Sequence, residues 1–162
     1  MSAAHLHLIL NHAPLFGILF GSLGLVWAFA RRDDPIGRGA LALLVLAGAL
    51  ALPVYLTGEE AEDLVEGQVG VSEAALDAHE DAALGAAIAT GVLGGIALVL
   101  LVGFRTRALP RALTGSVLVL AVAAGGWIGY VANLGGKINH PEIRDSRAVP
   151  ADIRSPVEHY DD

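Results

Sequence analysis

The chain has 162 residues, 54% of them hydrophobic, with a mean hydropathy of +0.59 and a net charge of -7. A soluble domain of this size has too little interior to hide so much apolar surface, so the composition points to a membrane protein. The negative charge excludes a nucleic-acid binder, and the absence of cysteine excludes disulfides, thiolate metal sites and covalent attachment of a c-type haem.

The N-terminus is uncharged up to an apolar run at 8–30, in which Asn11, His12 and Ser22 are the only clearly polar residues. A cleavable leader carries its basic residues before the run, whereas Arg31 and Arg32 follow it, so this segment reads as a retained first span. His5 and His12 are two helical turns apart and share a face if the helix begins this early, with His7 pointing elsewhere. Pro14 either occupies the first turn of the span or kinks it and frees the carbonyl of Leu10.

A loop with Arg31, Arg32 and Arg38 leads to a second apolar run, 40–56, near the lower limit of the roughly 20 residues that a hydrocarbon core demands. The acids that follow suit a short surface helix over 59–65, with Glu59 and Glu62 one turn apart. A turn at 67–70 comes next, with Ser72 as N-cap of a helix over 73–104, whose stretch 82–104 is the third span. His79 stands where that helix enters the membrane. Arg105, Arg107 and Arg111 precede the fourth span, 112–134. Gly135-Gly136 is expected to break or loosen that helix, placing His140 in the turn beyond, between Lys137 and Arg144. The expected architecture is an all-α, four-transmembrane-helix up-down bundle over 1–140, with a polar tail at 141–162 that contains His159.

The two short loops hold six of the ten basic residues, while 57–81 holds none and carries nine acids. The positive-inside rule then places both Arg loops in the cytoplasm, with the acidic segment and both termini outside a bacterial inner membrane. Glycines recur at helical spacing within the spans: Gly17, Gly21 and Gly24, then Gly91, Gly94 and Gly95, then Gly125, Gly126 and Gly129. Two readings stay open: close packing of helix backbones, or room for a flat macrocycle.

This topology gathers His5, His7, His12, His79 and His140 at the outer ends of the spans. Imidazole at the rim of an apolar bundle is suited to haem iron or another metal. By depth, His12 and His79 are the first candidates for axial ligands of a haem b, with His140 and His7 next and Lys137 and Arg144 near its propionates. The competing chemistry is an Fe, Cu or Zn ion held by His5, His7, His12 or His79 with Glu59 or Glu62. Against it, Leu76 stands where a Glu-x-x-His motif ending at His79 needs its glutamate. No phosphate-binding loop or hydrolytic motif is present.

The segments His5-Leu6-His7-Leu8-Ile9-Leu10-Asn11-His12-Ala13-Pro14-Leu15-Phe16-Gly17 and Leu134-Gly135-Gly136-Lys137-Ile138-Asn139-His140-Pro141-Glu142 resemble those of a bacterial family. That family is a domain of unknown function, a group of four-helix membrane proteins with a His-rich, Pro-containing start to the first helix. The His-Leu-His opening here stands where the family has His-Pro. In plan, the chain is also similar to small membrane b-type cytochromes. These resemblances imply a small respiratory-type membrane subunit. The expected function is electron transfer through a His-ligated haem near the outer face, between the membrane and a basic periplasmic redox protein drawn by the acidic segment. The alternatives are metal handling, or a cofactor-free subunit of a larger respiratory complex whose glycine faces pack against neighbours, a second copy of this chain among them.

Overall fold

A computed structural model describes residues 2–140 together with Ile143 and Arg144. Five helices follow in chain order: α1 (Ala3–Leu10), α2 (His12–Arg31), α3 (Asp34–Glu62), α4 (Glu73–Gly103) and α5 (Arg111–Asn139). α1 and α2 are separated only by Asn11 and form one apolar stretch, so four helical units are long and apolar enough to cross a membrane. The tail beyond His140, with His159, lies outside the described residues except for Ile143 and Arg144.

The bundle is apolar outside as well as inside, unlike a soluble one. Phe16, Phe20, Leu23, Trp27, Val99, Val119 and Val122 are exposed on its outer wall, as lipid contact requires. The interior is narrow and built from Ile18, Leu25, Leu41, Leu44, Leu93, Ala97, Val117 and Ala121, with alanines between them. Where apolar side chains gain nothing by leaving lipid, helices associate through close packing, and small residues allow it. A Cβ added at Gly17, Gly21 or Gly24 of α2 would press on Ala47, Leu44 or Ala40 of α3. At the α3–α4 seam the backbones themselves meet: a Cβ on Gly94 would lie 2.8 Å from the Gly48 Cα. Gly91, Gly95, Gly126 and Gly129 face open space instead. The first set of glycines thus serves packing.

The helix ends depart from the hydropathy reading for physical reasons. α3 runs past 56, through Pro53, to Glu62. The proline removes one helical N–H, and one turn on, the Thr57 hydroxyl donates to the carbonyls of Pro53 (2.8 Å) and Val54 (3.0 Å). The separate acidic helix expected over 59–65 is therefore the last turn of α3 followed by turns. α5 likewise continues through Gly135-Gly136 to Asn139, where Ile138 is buried and its carbonyl accepts from the Ser72 N–H at 3.2 Å. Ser72 stands at the N-cap position of α4, but its side chain makes no capping bond. Asp33 caps α3, its carboxylate accepting from the Ile36 N–H at 3.1 Å. Replacing Asp33 by alanine is expected to cost about 1 kcal/mol of stability, read from thermal unfolding in detergent.

The two halves of the bundle repeat one another. The buried positions of α2, Pro14, Ile18, Gly21 and Leu25, fall at a constant displacement from Ala86, Thr90, Leu93 and Ala97 of α4. Those of α3, Gly37, Ala40, Leu44 and Ala47, bear the same relation to Thr114, Val117, Ala121 and Ala124 of α5. Each half is a helical hairpin, and the two pack side by side. The start of α1, the end of α3, the start of α4 and the end of α5 meet at one end of the bundle, and the arginine loops at the other.

Candidate functional site

The repeat extends to the histidines. His7 of α1 donates from Nδ1 to the Val54 carbonyl of α3 at 3.0 Å, and its ring lies against Gly58 one turn further on. His79 of α4 donates from Nδ1 to the Val131 carbonyl of α5, also at 3.0 Å, and its ring lies against Gly135. A Cβ at Gly58 or Gly135 would stand 3.1 Å from the Cε1 of its histidine, so only glycine leaves the ring this seat. His7 to His79, Val54 to Val131 and Gly58 to Gly135 continue the displacements of the buried faces.

The bond fixes the chemistry of each ring. A carbonyl can only accept, so Nδ1 carries the hydrogen, and in the neutral imidazole the Nε2 lone pair is left as the donor atom. Histidines that ligate metals are oriented in this way, one nitrogen tied to a carbonyl and the other presented to the ion. Both rings are half-buried, and each lies within electrostatic reach of the other. One turn deeper than His7, the Asn11 Oδ1 is buried and has no hydrogen-bond partner. An acceptor so placed calls for a donor that the described residues do not supply.

The remaining candidates are placed otherwise. His12 is exposed on the outer wall, stacked on Phe16 with ring centroids 6.4 Å apart, and Phe16 stacks in turn on Phe20 at 6.1 Å. His5 is exposed at the start of α1, on the outward side that it shares with His12. The expectation that His7 points away from that side holds, and it is His7 that turns inward. His140 is exposed at the C-cap of α5, and its carbonyl accepts from the Ile143 N–H at 3.2 Å. Arg144 donates to the carbonyls of Lys137 (2.6 Å), Gly70 (2.9 Å) and Ile138, which ties the end of α5 to the turn before α4. Its guanidinium is engaged as a clasp. Lys137 is half-buried beside it.

Glu59 accepts from the Tyr55 hydroxyl at 2.9 Å, and Glu62 lies within electrostatic reach of Asp77 and Glu80 across the mouth between α3 and α4. Among the described residues, no three His or carboxylate side chains converge as a metal ion would need. Sequence reasoning passed over the seats themselves. Their signal is Val-x-x-x-Gly, present at the histidine end of α3 (Val54, Gly58) and again at that of α5 (Val131, Gly135). No protein-family model matches the chain, and neither a curated protein nor a solved structure gives a match.

Proposed function

We propose that this is a membrane b-type haem protein that carries electrons at the acidic face of the bundle, with His7 and His79 as the iron ligands. The observation that carries the reading is the matched pair of imidazoles, each held by Nδ1 on a neighbouring helix with Nε2 left to coordinate. Haem supplies four nitrogens of its own and would ask the protein for two, and His7 and His79 are the half-buried pair with Nδ1 already engaged. A free Fe, Cu or Zn ion asks for three or more protein ligands, and the described residues bring no such group together. His12 and His140, exposed at the outer wall and the helix end, are secondary on this reading. The protein's own part would be to orient the two rings through their Nδ1 bonds at the rim of the apolar bundle.

In the cell, the arginine loops would lie in the cytoplasm, with the histidines and both termini on the periplasmic side of a bacterial inner membrane. The acids between Glu59 and Asp81 would then face a soluble partner of basic charge, steering its approach at low salt. The test is an absorption spectrum of detergent-purified protein from haem-replete cells, oxidised and dithionite-reduced, with a pyridine haemochrome assay. A Soret peak with sharp reduced α-bands at about one haem per chain is expected. A colourless protein would sink the reading and leave the seats as clasps between helices, in a subunit whose role is to pack in a larger complex. Metal found by elemental analysis without a Soret band would favour the free-ion alternative.

A further inference from the structure

The opposite end of the bundle holds a cavity of about 330 Å³ between the two arginine loops. Its floor is apolar, formed by Leu41, Leu100 and Phe104, and Arg32, Arg38 and Arg111 stand in its wall with Asp33 and Asp34. Topology alone accounts for arginines in these loops, but it does not require them to surround a hollow with a greasy base. The loops are laced across it. Arg38 reaches from α3 to the Arg107 carbonyl at 3.2 Å, and Arg111 reaches from α5 to the Phe29 carbonyl at 3.2 Å, its guanidinium 4.5 Å above the Phe29 ring. Each guanidinium has five N–H donors, so one bond to a carbonyl leaves most of them available. The first turn of α5 opens onto the same place without a side-chain cap, while the Asp33 carboxylate is engaged by the first turn of α3. Free helix N–H groups and guanidinium forks both suit a phosphate.

We propose that this cavity seats the phosphate headgroup of an anionic membrane phospholipid. The apolar base takes the first methylenes of the acyl chains, which then run out along the lipid-facing wall. The volume is that of a headgroup and its root, not of a whole lipid. The apolar floor, and a position at the level where the spans begin, favour a lipid over a free phosphate. The site is independent of the histidine end, and its test does not need haem.

The experiment is native mass spectrometry of the full chain in detergent, titrated with phosphatidylglycerol, phosphatidylcholine or soluble glycerol phosphate. Saturable binding of one or two phosphatidylglycerol molecules is expected, with phosphatidylcholine and glycerol phosphate at least about tenfold weaker. The pair Arg38→Gln and Arg111→Gln should lower phosphatidylglycerol affinity by about tenfold or more. The pair Arg105→Gln and Arg107→Gln, whose side chains lie outside the cavity wall, should leave it within about twofold. Ala108→Trp narrows the cavity without changing charge and should also abolish binding, which decides the matter if the arginine pair does not fold. Equal binding of the two lipids, equal losses from both arginine pairs, or undiminished binding in Ala108→Trp would overturn the proposal. Glycerol phosphate binding as tightly as the lipid would overturn it in favour of a soluble phosphate.

Discussion

Replacing Gly94 by leucine is expected to separate the two hairpins. At this position the α3 and α4 backbones touch: the Cβ of any side chain would meet the Gly48 Cα at 2.8 Å and the Leu44 carbonyl at 3.2 Å. Neither atom is the end of a flexible side chain, so relief requires the helices to move apart along their length. Lipid exerts no hydrophobic pressure to hold them, so the lost packing is not compensated. Alanine should cost about 1–3 kcal/mol. Leucine should cost more, reducing the yield of folded protein and lowering the midpoint of thermal or detergent unfolding. Gly95→Leu is the matched control, because a side chain there meets nothing within 4 Å and points to lipid. If Gly94→Leu and Gly95→Leu unfolded alike, the seam would be looser than described.

The second large effect is at the seats. If haem is held as proposed, His7→Ala and His79→Ala should each abolish its Soret band, whereas His12→Ala should leave it, since that ring lies on the outer wall against Phe16. Gly58→Ala and Gly135→Ala test the geometry without removing a ligand. The new methyl would stand 3.1 Å from Cε1, closer than a settled contact, so the ring must tilt off its carbonyl by a few tenths of an ångström. Changes of this kind around a ligating histidine lower affinity by about 10–100-fold. Haem titration into apoprotein, followed at the Soret maximum, reads both sets. Retention of full affinity in His7→Ala would refute the assignment of that ligand. A loss in His12→Ala equal to that in His7→Ala would move the site to the outer face.

How much of this was legible depends on the signal each feature writes into the chain. Four spans were legible because lipid demands long uncharged runs, and 82–104 and 112–134 satisfy that demand without ambiguity. Helix ends were not, because hydropathy marks where hydrocarbon stops and not where hydrogen bonding stops. α3 passes Pro53 and ends only at Glu62, and α5 passes a glycine pair, with Ile138 buried and its carbonyl bonded to the Ser72 N–H. The histidine end was found by topology, since rim residues of an up-down bundle must share a side. Which of its rings turn inward was not. Depth in the membrane favoured His12, yet a helix face is set by 100° steps and by which neighbour offers a carbonyl and a glycine. The repeat was hidden as well. Pro14 corresponds to Ala86 and Leu44 to Ala121, so the halves share the spacing of their buried positions but few residue identities.

That repetition bears on how the protein is made. Each hairpin contains its own histidine, the carbonyl that receives it and the glycine beneath it, so these contacts need nothing from the other half. On that basis the first hairpin would close before the second is inserted, and the second would repeat the same contacts. What remains for the bilayer is a docking of two similar pieces along the Gly48–Gly94 line. The ten residues 63–72 act at that stage as a tether, which keeps the second piece at high local concentration beside the first. Such an assembly would divide at the middle of the chain, between two hairpins that differ in sequence and agree in form.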